Sequence, residues 1–185
     1  GRKKRTPLEK VYVGAHILDI LRRSPIPVLM SKYMVQLEWE GELVTRVNEH
    51  IFKRPLLSTD CSDPSQRGMK MLSALKGAVE KALVAHVIGA KLSKKASPET
   101  LRELELESRK RLDAFCQKLA DEGLLAESHL SMGRTAVEII KMSREYKATM
   151  IVMGRTGKDW FQEYWLGGVS HRVAEISELP VMLVP

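Results

Sequence analysis

The feature that most constrains the fold is a regular alternation of short apolar runs and helical patterns from residue 55 onward. Residues 82–88 form a nearly unbroken apolar run, and residues 149–153 form a second one. A strand needs such a run when helices cover both faces of its sheet, as they do in parallel sheets. The alternation therefore predicts an α/β fold: an open five-stranded parallel sheet with helices on both faces and right-handed crossovers.

The longest helix carries local signals for both of its ends. Ser97 suits the N-cap position, Pro98 suits the first helical position, and Gly123 suits the end of the helix. Further helices are expected at 135–146 and 168–177, each after a strand pattern and with apolar residues at helical spacing. The strands are expected at 55–60, 82–88, 124–132, 149–153 and 180–184.

The first 54 residues do not begin a unit of this kind, and they resemble the end of one. An ungapped offset of 153 residues aligns four notable pairs: Gly1 with Gly154, Arg2 with Arg155, Ser24 with Ser177, and Val28 with Val181. We interpret residues 1–35 as the C-terminal helix and strand of a partial first repeat. Residues 36–54 would be the inter-domain connection, and residues 55–185 one complete domain. An unrelated helical N-terminal extension is the alternative.

A glycine-spaced loop joins the fourth strand of the domain to its last helix. Gly154, Gly157 and Gly167 have the spacing G-x2-G-x9-G, which is neither a Walker loop nor the G-x-G-x-x-G dinucleotide pattern. Glycine allows the backbone to approach an anion closely, and free amides at a helix start point toward it. Ligands in such folds bind at the carboxyl ends of the strands. The sequence thus predicts a phosphate-binding loop from Gly154 to Ser170.

This spacing resembles the ATP-binding motif of the universal stress protein family. Residues 56–62, with Asp60 and Ser62, look like the first strand of that family, and residues 179–184 look like its last strand. The resemblance covers residues 55–185, with a weaker echo in residues 1–35. It implies a Rossmann-like fold in a tandem-repeat protein that binds an adenine nucleotide (ATP, ADP or AMP, with or without Mg²⁺) and acts as a stress-response regulatory or sensing module.

The resemblance also implies which residues would form the nucleotide site. Asp60 would lie near the ribose or adenine, Val87 and Met153 would contact the base, and Gly133 would flank the site. The loop residues from Gly154 onward would hold the ribose and phosphates. The full set is Thr59, Asp60, Cys61, Val87, Gly133, Met153, Gly154, Arg155, Gly157, Gly167, Gly168, Val169 and Ser170.

One position departs from the pattern of the family. Residue 168 is glycine, where the ATP-binding members carry serine or threonine, so a hydroxyl donor is missing. Ser170 is a candidate replacement. Two alternatives to nucleotide sensing therefore stay open: an interaction module of the same fold with an empty site, or a weak ATPase. No catalytic group or metal-binding cluster is expected from the sequence.

Other residues favour structural interpretations. His86 is expected to be a hydrogen-bonded structural histidine, and residues 109–111 a solvated helix face. The aromatic residues Trp160, Phe161, Tyr164 and Trp165 would form a lid, a partner surface or an anchored loop. The composition, with two cysteines outside any metal pattern, favours a cytoplasmic protein. The basic run at residues 2–5 is read as solvated, so a nucleic-acid partner is not expected. The sequence has no run of about 18 apolar residues, so no membrane partner is expected either.

Association is the last expectation. Strands at 27–34 and 180–184 would each be an exposed apolar edge unless they are paired. We expect them to pair, within the chain or between chains, and in the second case to form a homodimer.

Overall fold

The computed structural model describes residues 15–31, 34–39, 42–47, 50–60, 63–155 and 167–185. Within these ranges helices and strands alternate along the chain. In order they are α1 Ala15–Arg23, β1 Val28–Met30, β2 Met34–Trp39, β3 Glu42–Val47, β4 Pro55–Ser58, α2 Asp63–Ala74, β5 Ala82–Gly89, α3 Ala90–Ser93, α4 Pro98–Asp121, β6 Ala126–Gly133, α5 Thr135–Glu145, β7 Met150–Gly154, α6 Gly168–Ile176 and β8 Val181–Val184.

The larger sheet has the strand order β1-β8-β7-β4-β5-β6. Strands β8, β7, β4, β5 and β6 are all parallel, which confirms the predicted five-stranded parallel sheet. The sixth strand, β1, is antiparallel to β8, so the complete sheet is mixed. The strand order reverses at the β4–β7 pair, because the chain runs outward from β4 on one side and from β7 on the other. Ligands bind at such a switch point in open α/β sheets.

Helices cover both faces of this sheet. Leu56 belongs to one core cluster, with side chains of α5 and α6, while the next residue, Leu57, belongs to the other, with side chains of α2 and α4. Ile151 and Val152 alternate between the two clusters in the same way. Successive strand residues point to opposite faces, so a strand covered on both sides must be apolar throughout. That explains the unbroken apolar runs of the sequence.

The ends of α4 confirm the local signals. The hydroxyl of Ser97 accepts a hydrogen bond from the amide of Thr100 at 3.2 Å, and Pro98 is the first helical residue. At the other end Gly123 has φ +84°, and the amide of Leu124 donates to the carbonyl of Leu119 at 2.9 Å. These are the features of a Schellman C-cap.

The segment before β4 contains an element that the sequence analysis did not predict. Strands β2 and β3 form a separate antiparallel hairpin, in a region interpreted from the sequence as a connection. Before them, α1 is attached to the main core through Leu21, which is 2% exposed, together with Val28 and Met30 of β1. The strands at 28–30 and 181–184 pair within the chain, which is one of the two arrangements the sequence left open.

Within the part of the chain that the structure describes, the helices fall short of the length and hydropathy that crossing a bilayer requires.

Candidate functional site

A cleft of about 580 Å³ opens at the carboxyl ends of β4, β5 and β7, beside the switch point of the sheet. This volume lies within the range of ligand pockets, about 300–1,000 Å³. Nine of the thirteen residues proposed from the sequence line it: Thr59, Asp60, Val87, Met153, Gly154, Gly167, Gly168, Val169 and Ser170. The fold thus brings together residues that are more than a hundred positions apart in the chain.

Asp60 is fixed in place at the end of β4. The hydroxyl of Ser65 donates to its Oδ1 at 2.8 Å, and the backbone amide of Asp60 donates back to the Ser65 hydroxyl at 3.3 Å. Ser65 lies in the first turn of α2 and is 3% exposed. A buried hydroxyl therefore orients a carboxylate that lines the cleft.

His86 joins the ends of the two strands beneath the cleft. Its Nδ1 donates to the carbonyl oxygen of Thr59 at 2.7 Å, while the amide of Thr59 donates to Ala85 at 2.8 Å. The hydrogen bond expected for His86 is therefore present. The side chain also lines the cleft, so its position helps to shape the wall.

The glycine loop is closed at its base by Ser170. The carbonyl oxygen of Arg155 accepts hydrogen bonds from the amide of Gly167 at 3.0 Å and from the hydroxyl of Ser170 at 2.7 Å. The same hydroxyl lies 2.9 Å from the carbonyl oxygen of Gly167. A serine hydroxyl has one proton, and both of these acceptors belong to the loop. Ser170 therefore holds the loop ends together, which differs from the expectation that it replaces the missing phosphate donor.

The first turn of α6 faces the cleft with its backbone. Its N-cap is Gly167, which has no side chain to bond the first-turn amides, and residues 168–170 line the cleft. The first amides of a helix have no partner within the helix, and together with the helix dipole they favour an anion there. A Cβ added at Gly168 would meet no atom within 4 Å, so a serine would fit there.

Two described residues proposed for the site, Arg155 and Gly133, do not line the cleft. The Nη1 of Arg155 donates to the carbonyl oxygen of Ser24 at 2.8 Å, which directs the side chain to the segment after α1, and Arg155 does not line the cleft. Gly133 has φ +149°, and a Cβ there would lie 2.9 Å from Oε1 of Glu138. It pairs in register with Gly89, which does line the cleft, so it flanks the site as expected.

Cys61 and Gly157 lie outside the described residues, as do Trp160, Phe161, Tyr164 and Trp165 of the proposed lid. Cys116, which the structure does describe, is a free thiol on α4. Burial, with Asp113 and Glu127 nearby, raises its pKa to about 11. A thiol of this kind stays protonated at neutral pH and makes a poor nucleophile.

The sequence analysis missed the wall that α4 contributes. Leu104, Glu107, Ser108 and Arg111 all line the cleft. Their spacing of three and four residues places them on one face of the helix. The signal was present in the sequence as a polar continuation of the apolar stripe of α4, but residue 111 was assigned to a solvated face.

The chain resembles known proteins in both sequence and structure. Residues 52–185 match the model of the universal stress protein family. Universal stress protein YxiE of Bacillus subtilis is 35% identical over 86 residues, which are 46% of this chain and 58% of that protein. Universal stress protein MJ0531 of Methanocaldococcus jannaschii is 29% identical over 147 residues, 76% of this chain and 86% of that protein.

Solved structures give the same result. Protein MJ0577 superposes with a TM-score of 0.65 at 27% identity, over 72% of this chain and 96% of its own. A universal stress protein from Archaeoglobus fulgidus in complex with dAMP has a TM-score of 0.55 at 20% identity, over 73% and 99% of the two chains. A universal stress protein in complex with cAMP has a TM-score of 0.57 at 19% identity, over 73% of this chain and 98% of its own. The last two likenesses concern the fold.

Proposed function

We propose, starting from the fact that the chain belongs to the universal stress protein family, that it binds an adenine nucleotide and acts as a stress-response regulatory or sensing module. One observation carries this proposal. The carboxylate of Asp60, the end of β7 at Gly154 and the amide-bearing first turn of α6 line one cleft at the switch point of the sheet. The structures with dAMP and cAMP show that proteins of this fold bind adenine nucleotides.

The lining suggests how the ligand would lie. Val87 and Met153 are apolar and almost fully buried, so they suit the flat faces of an adenine ring. Asp60 accepts hydrogen bonds, as the ribose hydroxyls require. The first turn of α6, with Gly167 and Gly168, suits phosphate. ATP, ADP and AMP all meet these requirements.

Mg²⁺ would accompany a polyphosphate rather than occupy a protein cage. The described residues contain no group of three or more His, Cys, Asp and Glu side chains that could hold a metal ion. Magnesium bound with nucleotides commonly takes one or two carboxylates together with phosphate oxygens. Asp60 and Glu107 are the carboxylates that the described cleft offers.

Isothermal titration of the full chain with ATP, ADP, AMP and adenosine tests the proposal. We expect heat of binding with at least one nucleotide and a loss of about tenfold or more in affinity for Asp60→Asn, which removes a charged acceptor. Asp19→Asn is the matched control, because Asp19 is exposed on α1 and has no place in the cleft. An absence of heat with every ligand at millimolar concentration would reject nucleotide binding.

One observation favours the second candidate, an interaction module of the same fold. Gly168 provides no hydroxyl, and the hydroxyl of Ser170 is bonded to loop carbonyls. The same titration separates the two candidates. Slow ATP hydrolysis is a third candidate, and phosphate release that Asp60→Asn abolishes would support it.

We also propose a cytoplasmic location, which fractionation of cells expressing the tagged chain would test.

We further propose that the segment before residue 36 is the end of a first repeat. The hydroxyl of Ser24 donates a hydrogen bond to the carbonyl of Ile26 and accepts one from the amide of Ile26. At the equivalent position, the hydroxyl of Ser177 makes the same two hydrogen bonds with Leu179. The amides of both serines also donate to carbonyls four residues earlier. Each turn is followed by proline and a strand. One offset of 153 residues relates all these contacts.

The pairing of β1 with β8 has the matching symmetry. Leu29 pairs with Met182, its own equivalent under that offset, while Val28 pairs with Leu183 and Met30 with Val181. Two copies of one strand that meet about a two-fold axis pair in this register. The intrachain pair thus takes the place that the predicted homodimer interface would occupy.

Sedimentation tests the proposal that the β1–β8 pair takes the place of a dimer interface. The wild-type chain should not dimerise through β8, whereas Leu29→Pro, which removes an amide from β1 and disfavours strand pairing, should expose β8 and shift the chain toward dimer. Leu29→Ala, which keeps the amide, is the control. A dimer of unchanged strength in all three chains would place the association elsewhere.

A further inference from the structure

Helix α4 is longer than the strands on which it packs. Its 24 residues span about 36 Å, whereas the eight residues of β5 or β6 span about 26 Å. The buried residues of α4 are Leu112, Phe115 and Leu119, all in its C-terminal half. Because α4 follows the carboxyl end of β5 in the chain, its N-terminal part extends past the sheet, and residues 104–111 of the helix line the cleft.

The stretch of α4 from residue 104 to residue 111 presents a specific set of side chains to the cleft. Leu104 is followed on the same face by Glu107, Ser108 and Arg111, and all four line the cleft. Of the described side chains that line it, Arg111 is the only lysine or arginine, and the carboxylates are Asp60 and Glu107. A phosphorylated ligand therefore finds one side-chain cation among the described residues of this wall.

The guanidinium of Arg111 forms a solvent-exposed ion pair that a ligand can displace. It forms an ion pair with Glu107, one helical turn earlier, and the two side chains are 49% and 58% exposed. Ion pairs with this exposure contribute little to stability, because water screens them. A phosphate offers the guanidinium a stronger, bidentate contact. Replacement of Glu107 by a ligand phosphate as the ion-pair partner of Arg111 is therefore favourable.

We infer that Arg111 is a phosphate-contacting residue of the cleft and that Glu107 holds its guanidinium until a phosphate replaces the carboxylate. This inference rests on the proposed nucleotide binding and adds a contact from the opposite sheet face. α4 packs on the face with Leu57, and α6 packs on the face with Leu56. The phosphate is then contacted by amides of α6 from one side and by a cation of α4 from the other.

The test compares adenosine, AMP, ADP and ATP by titration against Arg111→Gln and Arg109→Gln. Arg109 is exposed on the same helix and does not line the cleft, so both variants lose the same charge. Arg111→Gln should weaken the phosphorylated ligands about tenfold or more, with adenosine unchanged. Arg109→Gln should leave all four affinities close to wild type.

Glu107→Gln gives a second readout of opposite sign. It releases the guanidinium and removes a negative charge, so in Mg²⁺-free buffer the affinity for AMP, ADP and ATP should rise while that for adenosine stays constant. Equal losses for adenosine and ATP in Arg111→Gln would assign Arg111 to the base and overturn the inference, as would identical behaviour of Arg111→Gln and Arg109→Gln. If wild type binds no nucleotide, the proposed function itself fails.

Discussion

The hydroxyl of Ser170 lies 2.7 Å from the carbonyl oxygen of Arg155 and joins the start of α6 to the end of β7. The sequence from Gly154 to Gly167 carries the glycine spacing that indicated a phosphate site. The amide of Arg155 in turn donates to the carbonyl of Val184 at 2.7 Å, which fixes this junction to the neighbouring strand. The first turn of α6 is thereby held at the carboxyl ends of β7 and β8.

Ser170→Ala should loosen this junction at a modest cost in stability. In this variant the carbonyl of Arg155 still accepts a hydrogen bond from the amide of Gly167, and the carbonyl of Gly167 still accepts one from the amide of His171. Neither carbonyl therefore loses its last hydrogen bond. We expect a loss of about 0.5–1.5 kcal/mol in the free energy of unfolding, measured by urea denaturation. Val169→Ala, on the same turn but 38% exposed, is the control and should cost less. A loss of several kcal/mol would indicate a larger role.

Gly168→Ser should strengthen binding of phosphorylated ligands. The added side chain meets no atom within 4 Å of its Cβ, and its hydroxyl enters the first turn of α6 beside the free amides. We expect a gain of about three- to tenfold in affinity relative to Gly168→Ala, which adds the Cβ without the hydroxyl. Titration with AMP and ATP measures it. Equal affinities in the two variants would show that no hydroxyl is needed at this position.

The parallel sheet and the ends of α4 could be predicted because their signals are local. An apolar run identifies a strand that helices cover on both faces of the sheet. Ser97, Pro98 and Gly123 determine the ends of α4 through contacts within one helical turn of their own positions. The assembly of the cleft also followed, since the carboxyl ends of parallel strands must meet at one edge.

What could not be predicted depends on contacts distant in sequence. The family resemblance placed Arg155 at the ribose and phosphates, yet its guanidinium donates to the carbonyl of Ser24, 131 residues away. Arg111 was assigned to solvent because its neighbours are charged, and only the overhang of α4 beyond the sheet brings it to the cleft. The β2–β3 hairpin has a similar cause, because strand pairing depends on tertiary context more than on intrinsic propensity.

Gly133→Ala should destabilise the fold strongly. The residue has φ +149°, a conformation that is strained for any side chain, and the new Cβ would lie 2.9 Å from Oε1 of Glu138. Glu138 would have to move, although its Oε2 accepts a hydrogen bond from Ser131 at 2.7 Å. We expect a cost of about 2–4 kcal/mol in thermal or urea unfolding. Gly77→Ala is the matched control, with open space and no such φ, and should be nearly neutral.

Glu127 should make the stability of the domain depend on pH. Its carboxylate accepts hydrogen bonds from Arg54 and His129, both at 3.1 Å, and from Lys81. Burial raises the pKa of Glu127, but the hydrogen bonds and charges of Lys81 and His129 outweigh it, so the pKa is lowered overall. A carboxylate whose pKa is lower in the folded state stabilises the fold above its unfolded pKa, about 4.3, and this contribution is lost as pH falls through the folded value.

Glu127→Gln should therefore cost about 1–2 kcal/mol at neutral pH, after allowance for its 28% exposed side chain, and progressively less below about pH 4. Urea denaturation of both chains at a series of pH values measures the difference. Glu103→Gln is the charge-matched control, because Glu103 is exposed on α4, and its difference from wild type should stay small throughout. A Glu127→Gln difference that does not change with pH would mean that packing of this side chain, rather than its charge, stabilises the ends of β4, β5 and β6.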